Sequence, residues 1–131
     1  MIVVLDSNEY INYIEKKTLL LDKIFLYDKI IVYINETITK EVINNLSQSL
    51  IKDFYDFLLR NNINIYYEKM EFDSLQKYKN LGLKKGDIAI AAFCETIKAD
   101  YLITENRHFL KSIKFEKFKV LSLKGFLRKL E

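Results

Sequence analysis

Short apolar runs alternate with helical patterns along this chain, and that alternation restricts the fold more than any other feature. Five runs are nearly continuous in apolar residues: MIVVL, KIIVYI, INIYY, DYLIT and FKVLS. Runs of this kind are typical of strands that are covered on both faces. Strands of this type separated by helices predict an α/β fold, a three-layer sandwich in which helices flank a mainly parallel sheet of about five strands.

The segments between these runs carry helical spacing of apolar residues. We expect helices over residues 8–16, 18–27, 36–46, 49–60, 73–81, 86–98 and 123–130. Asp87 and Ser122 are placed to cap the last two of these. The chain has no proline, three glycines and no linker-like stretch, so we expect one domain over residues 1–131.

Cysteine content and hydropathy limit where the protein acts. The one cysteine, Cys94, excludes an intramolecular disulfide and fits a reducing compartment. It lies in the apolar segment IAIAAFCET, where a buried thiol is expected rather than a nucleophile. No apolar run approaches the length of a membrane span. We therefore expect a soluble, cytoplasmic protein with no membrane partner.

The net charge of +3 is unevenly distributed. Residues 111–131 contain seven lysines and arginines against two glutamates, a net charge of +5, which leaves −2 for residues 1–110. One interpretation is a lysine-rich surface exposed to solvent. The other is a surface that attracts phosphates beside an acidic site.

Polar residues follow the predicted strands or open the helices after them. Asp6 comes directly after MIVVL, Glu41 lies on the helix after the second strand, Asp87 is near the start of the apolar helix, and Asn106 follows DYLIT. Ligands of parallel α/β sheets bind beyond the carboxyl ends of the strands. We expect these four side chains to meet there.

Each of these residues also has an ordinary structural interpretation. Asp6 could cap the first helix, Glu41 could face solvent, Asp87 could be only a cap, and Asn106 is a common turn residue. His108 fits a packing or capping role. Together the three acids suggest a binding site, because two carboxylates ~4 Å apart repel by about 4 kcal/mol at an effective dielectric constant near 20. A proton or a cation must relieve that repulsion. Oxygen ligands without a Cys or His cluster suit Mg²⁺ or Mn²⁺.

The motifs around these residues resemble those of the PIN-domain ribonucleases, a family that includes the VapC-like toxins. IVVLDSNEYI is similar to the opening strand of the family, and INETITKEV to its second motif. GDIAIAAFCETIKADYLITENRHFL resembles the segment that carries the third acid, an alanine-rich helix and the following strand. The likeness covers nearly the whole chain.

This resemblance implies a single PIN-like domain with an acidic pocket for one or two Mg²⁺ or Mn²⁺ ions. Asp6, Glu41 and Asp87 would be catalytic, metal-binding acids. Asn106 stands where the family has a fourth acid and would be a catalytic residue too, with its amide oxygen binding the metal or holding a water. An amide adds no negative charge, so a second ion should bind more weakly unless Glu105 turns inward.

Further residues would act around these. The expected supporting residues are Ser7, Asn8, Thr104 and Glu105, with Ser7 and Asn8 orienting Asp6. The candidates for binding the RNA backbone are Lys84, Lys85 and Arg107.

The implied function is metal-dependent hydrolysis of RNA, in a protein that could be the toxin of a type II toxin–antitoxin pair. Its partners would be an RNA substrate, an antitoxin protein and a second copy in a homodimer. The alternative is a PIN-like scaffold with little or no catalytic activity that binds RNA or a protein. A phosphoaspartate-forming phosphatase would require an acid where the chain has Asn8, and no phosphate-binding glycine loop is present.

Overall fold

A parallel sheet lies at the centre of the fold. The computed structural model describes the backbone of residues 1–131 and every side chain except that of Ser112. Within that description the strands are β1 (Ile2–Leu5), β2 (Ile31–Asn35), β3 (Asn64–Tyr66), β4 (Tyr101–Ile103) and β5 (Lys119–Leu121). Their order in the sheet is β3-β2-β1-β4-β5, and every neighbouring pair is parallel. The predicted five-stranded α/β fold is confirmed.

Helices connect and flank the strands. They are α1 (Ser7–Ile14), α2 (Glu36–Asn45), α3 (Gln48–Arg60), α4 (Phe72–Asn80), α5 (Lys85–Thr96) and α6 (Leu123–Leu130). The helix expected over 18–27 is a 3₁₀-helix, Leu20–Leu26, and its buried residues Leu21 and Ile24 are three apart, which is the 3₁₀ repeat. A π-helical turn, His108–Ser112, follows β4. No helix of the described chain is long and apolar enough to cross a membrane.

Strand β1 occupies the middle of the sheet. Val3, Val4 and Leu5 are completely buried, because β2 and β4 pair with β1 on either side and helices cover the sheet. The backbone N–H of Asp6 continues the pairing with β4 by donating to the carbonyl of Ile103 over 2.9 Å. The first residue beyond β1 is therefore fixed at the centre of the carboxyl edge of the sheet.

Several helices end at a residue in the left-handed backbone region. These residues are Lys16 (φ 61°), Asn62 (φ 53°), Gly82 (φ 100°) and Lys98 (φ 56°), after α1, α3, α4 and α5 respectively. In each case the N–H of the next residue turns back to a carbonyl in the last turn, as Ala99 does to Cys94 over 2.9 Å. This arrangement satisfies the last carbonyls of each helix. Since the chain has few glycines, lysine and asparagine occupy three of the four positions.

Helix α5 is held in place by its own apolar surface and by one carboxylate. Its residues Ile90–Cys94 are buried, which confirms the expected buried thiol of Cys94. On the side that faces α4, Glu95 accepts hydrogen bonds from Lys77 Nζ over 2.6 Å and from the hydroxyl of Tyr78 over 3.0 Å. The rigid placement of α5 fixes the position of Asp87 in its first turn.

Candidate active site

Asp6 is buried at the end of β1 and is the N-cap residue of α1. Its Oδ1 accepts the backbone N–H of Ser7 over 2.8 Å, and its Oδ2 accepts the hydroxyl of Thr104 over 2.6 Å. The Asp6 carboxylate can therefore cap α1 and also belong to the candidate site. Because donors on two sides fix its oxygens, the Asp6 carboxylate points in a defined direction at the edge of the sheet.

Glu41 approaches this edge from α2. That helix begins at Glu36, and Asn35 caps it by accepting the N–H of Ile38 on Oδ1 over 2.9 Å. The Glu41 carboxylate is hydrogen-bonded to the side chain of Ser7. Partial burial raises the pKa of Glu41, the bond from Ser7 opposes that shift, and the charges of Asp6 and Asp87 add to it. The carboxylates of the three predicted acids are thus close enough to act on one another.

Asp87 lies in the first turn of α5 and is not its cap. The helix begins two residues earlier at Lys85, after an N-cap residue, Lys84, that makes no side-chain capping bond. The prediction that Asp87 caps this helix was wrong, because the turn starts before the glycine that precedes the acid. Partial burial and then the charge of Asp6 raise the pKa of Asp87, while a hydrogen bond from Asn106 and the charge of His108 lower it.

Both ends of the Asn106 side-chain amide are hydrogen-bonded to neighbouring groups. Its Oδ1 accepts the N–H of His108 over 2.9 Å, and its side chain is hydrogen-bonded to Asp87, where the amide NH₂ is the donor. Its own N–H donates to the Thr104 hydroxyl over 3.0 Å. Asn106 therefore lies beside Asp87, and its contacts are those of a residue that orients this acid.

The other expected residues differ in how close they lie to the acids. Ser7 and Thr104 contact acidic side chains directly, as described above. Asn8 is exposed, and among the described side chains no hydrogen bond joins it to Asp6, so its expected orienting role is not supported. Glu105 is exposed and accepts the N–H of Leu123 at the start of α6 over 3.1 Å. The basic candidates are exposed on the two segments that carry Asp87 and Asn106: Lys84, Lys85 and Arg107.

Glu9 is a functional candidate that the sequence reasoning missed. It lies in the first turn of α1, only 4% of its surface is exposed, and its Oε2 has no hydrogen-bond partner among the described residues. Burial, followed by the charges of Glu105 and Asp6, raises the pKa of Glu9 to about 8. The signal available in the sequence was its spacing, since an acid three residues after the cap of a helix points back toward the helix start.

The acids do not form a ready metal cage. Among the described side chains, no group of three or more His, Cys, Asp and Glu residues stands close enough together to hold an ion. The donor chemistry nevertheless fits Mg²⁺ or Mn²⁺, because these ions take oxygen ligands and commonly bind through one or two carboxylates plus waters. A cation of this kind would relieve the repulsion between the partly buried carboxylates.

A surface groove lies on another face of the fold. It has a volume of about 920 Å³ between α1 and α3, and Tyr13, Leu19, Phe57 and Leu59 contribute its apolar lining. None of the acids described above lines it. The candidate site is therefore identified by its charges and hydrogen bonds and not by this groove.

Two solved structures resemble this chain along nearly its whole length. One is VapBC-1 from nontypeable Haemophilus influenzae, with a TM-score of 0.72 and 17% sequence identity over 95% of this chain and 99% of that chain. The chain has the PIN-like fold. The other structure is VapBC2 from Rickettsia felis bound to a DNA fragment from their promoter, with a TM-score of 0.65 and 15% identity over 93% and 98% of the two chains. No protein-family model matches the sequence, and neither does any curated protein.

The PIN-like fold accounts for the position of the acids. Asp6 follows the central strand of the sheet, and Asn106 and Glu105 come from the loop after the neighbouring strand β4. The first turn of α5 and the middle of α2 bring Asp87 and Glu41 to the same edge.

Proposed function

We propose that the protein is an Mg²⁺- or Mn²⁺-dependent endoribonuclease that hydrolyses phosphodiester bonds in RNA. The observation that carries this proposal is the convergence of Asp6, Glu41 and Asp87 at the carboxyl edge of the sheet, where the charges of Asp6 and Asp87 raise the pKa of Glu41 and the charge of Asp6 raises the pKa of Asp87. Such a set of acids on a PIN-like fold, which the chain shares with two VapBC structures, is what a metal-dependent nuclease of this family requires.

One or two of the carboxylates of Asp6, Glu41 and Asp87 would bind the ion directly, and waters would complete its coordination. A divalent ion held there supplies positive charge and Lewis acidity toward a phosphodiester. Thr104 and the N–H of Ser7 keep the Asp6 carboxylate oriented, and the Ser7 side chain does the same for Glu41. Buried Cys94 cannot reach a substrate, so the chain offers no thiol nucleophile at this edge. Lys84, Lys85 and Arg107 would bind phosphates of the RNA backbone, and their exposure on the segments that carry Asp87 and Asn106 supports this role.

The decisive experiment compares cleavage of labelled single-stranded RNA by the wild type, Asp6→Asn and Asp53→Asn. Asp53 is an exposed acid on α3 and serves as the matched control. We expect cleavage with Mn²⁺ or Mg²⁺, none with EDTA, and a loss of more than about a hundredfold in Asp6→Asn, because removal of the residues that merely support a metal ligand already costs about 10–100-fold. Cleavage that persists in EDTA or in Asp6→Asn would contradict the proposal.

We also propose that the protein acts in the cytoplasm as the toxin of a toxin–antitoxin pair, because the two similar structures named above are VapBC proteins. Induced expression in a bacterial host should arrest growth, and Asp6→Asn should abolish the arrest. Co-expression with the adjacent reading frame should restore growth if that frame encodes the antitoxin, and light scattering of the purified protein tests the proposed homodimer. Growth unaffected by the wild type would contradict the toxin role while leaving the nuclease assay valid.

A catalytically weak scaffold is the second candidate. It is favoured by the neutral amide of Asn106 at the fourth position and by the lack, among the described residues, of a ready group of three ligands. A scaffold would bind RNA equally well in EDTA and as Asp6→Asn, with no cleavage under any metal condition. The cleavage assay above therefore separates the two candidates.

A further inference from the structure

Glu9 is a buried acid of this edge that has no role in the function proposed above. Only 4% of the residue is exposed, and its Oε2 has no hydrogen-bond partner in the described part of the chain. A buried carboxyl without partners destabilises a fold, so a structural role does not explain its presence. Residues that lower stability in this way concentrate where a chain binds something.

The usual partner of an acid at this helix position is already occupied. In a capping box, a glutamate at the third position of a helix accepts the backbone N–H of the N-cap residue. Here the N-cap is Asp6, and its N–H donates instead to the carbonyl of Ile103, because β1 and β4 continue their pairing by one residue. The sheet therefore removes the donor that would have satisfied Glu9.

Glu9 instead faces other acids. The charges that act on it most are those of Glu105 and Asp6. One oxygen of Glu105 is bonded to the N–H of Leu123, and Asp6 accepts donors on both of its oxygens. Neither of these acids offers Glu9 a hydrogen-bond donor while it is ionised, so Glu9 must either carry a proton itself or share a cation with them.

Asn106, at the fourth position of the site, carries no charge. Glu9 can supply the missing negative charge. Asn106 is neutral, its Oδ1 accepts the N–H of His108, and its NH₂ donates to Asp87. Glu9 belongs to a different group of acids from Glu41, since the charges acting on Glu9 are those of Asp6 and Glu105. Those acting on Glu41 are the charges of Asp6 and Asp87, so Asp6 is common to both groups.

We propose that Glu9 is the fourth metal-binding carboxylate of this protein and that it holds, together with Asp6, a divalent cation at the carboxyl ends of β1 and β4. Two carboxylates with waters completing the coordination are sufficient for Mg²⁺ or Mn²⁺. This inference rests on the proposed metal-dependent function, and it assigns to Glu9 the negative charge that Asn106 does not provide.

The test is a titration of the purified protein with Mn²⁺, followed by electron paramagnetic resonance and calorimetry, for the wild type, Glu9→Gln and Glu15→Gln. Glu15 ends the same helix and is paired with Lys17, so its substitution is the matched control. We expect Glu9→Gln to lose one equivalent of Mn²⁺ or at least tenfold in affinity, and Glu15→Gln to bind as the wild type does. Equal stoichiometry and affinity in Glu9→Gln and the wild type would overturn the inference.

Thermal unfolding in EDTA separates metal binding from folding. Glu9→Gln should unfold at the same temperature as the wild type or higher in EDTA, and should gain less from added Mn²⁺. If Glu9→Gln does not fold, Glu9→Leu is titrated in its place, with the same expected loss. A wild type that binds Mn²⁺ and cleaves RNA while the Glu9 variants bind equally well overturns this inference alone. A wild type that neither binds Mn²⁺ nor cleaves RNA overturns the proposed function as well.

Discussion

The carboxylate of Glu41 lies over the α-carbon of Gly86, in the space that a side chain there would occupy. A Cβ atom placed on Gly86 would overlap Glu41 Oε2 and stand 3.8 Å from Thr37 Cγ2. Gly86 lies in the first turn of α5 and does not have a positive φ angle. A glycine is therefore needed here for the space that Glu41 occupies and not for its backbone conformation. That room is what lets an acid of α2 approach the acid that follows the glycine.

Replacement of Gly86 by alanine should displace the Glu41 carboxylate and leave the fold intact. The atom in the way is the end of a flexible side chain, and alanine stabilises a helix by about 0.5–1 kcal/mol relative to glycine. We expect an unfolding temperature equal to or above that of the wild type, with RNA cleavage and Mn²⁺ affinity reduced about tenfold. Thermal unfolding and metal titration measure the two effects.

Gly125→Ala is the control for this substitution, because Gly125 also lies in the first turn of a helix but has Ser122 and Leu121 as its neighbours. It should not change metal affinity. Unchanged cleavage by Gly86→Ala would show that the approach of Glu41 to α5 is irrelevant to activity.

The sequence predicted the sheet and its acidic edge because both follow from local patterns. MIVVL ends at an acid, and a continuous apolar run indicates a central strand, so Asp6 was placed correctly from nearest neighbours alone. The close approach of the Glu41 carboxylate to Gly86 could not be predicted from the sequence, since it depends on the distance between α2 and α5. Glu9 was missed for a related reason, because its usual donor is removed by a strand pairing that is distant in sequence. Asn8 was given too much weight, because its side chain is exposed and the described donors to Asp6 are Ser7 and Thr104.

Thr104 should be required both for stability and for the orientation of Asp6. Thr104→Val keeps the shape but removes the hydroxyl that donates to Asp6 Oδ2 and accepts the N–H of Asn106. Hydrogen bonds to charged groups contribute about 1.5–3 kcal/mol, so we expect a loss of about 2 kcal/mol in the free energy of unfolding, measured with urea. Thr96→Val is the control, since that hydroxyl donates only to the carbonyl of Ala92 in its own helix. Equal effects of the two substitutions would refute the special position of Thr104.

Asn106→Asp should have opposite effects with and without metal. The carboxylate can still accept the N–H of His108, but it no longer donates to Asp87 and adds a like charge beside it. We therefore expect a lower unfolding temperature in EDTA and a larger rise on addition of Mn²⁺ than in the wild type. We also expect more RNA cleavage at low Mg²⁺. An Mn²⁺-induced rise no larger than that of the wild type would rule out a cation near this position.

The metal-free protein should lose stability as the pH rises from about 5 to 8. Glu9 has a pKa of about 8 in the folded protein against an ordinary value of 4.5, so in this range the folded state binds more protons than the unfolded state. Stability then falls with rising pH, by at most about 1.4 kcal/mol per pH unit for each such group. The raised pKa values of Glu41 and Asp87 act with the same sign at the lower end of the range.

Glu9→Gln should flatten this dependence, because glutamine does not titrate. Urea unfolding in EDTA at a series of pH values measures the slope, and Glu15→Gln should retain that of the wild type. A wild-type slope of zero between pH 5 and 8 would mean that Glu9 is solvated or paired in the folded protein.

The left-handed residues at the helix ends offer a stability test that does not involve the site. Lys98 is exposed and ends α5 with φ 56°, a conformation that costs a residue with a Cβ about 1–2 kcal/mol and glycine very little. Part of that gain is offset by the greater freedom of glycine in the unfolded chain, so Lys98→Gly should stabilise the protein by about 0.5–1 kcal/mol in urea unfolding. Gly82→Ala, at φ 100° and with no atom within 4 Å of the point that a Cβ would occupy, should do the reverse, because only its backbone conformation opposes a side chain. Both variants should cleave RNA at the wild-type rate. If Lys98→Gly destabilised the chain as much as Gly82→Ala, interactions of the Lys98 side chain, and not its backbone angle, would be what ends α5.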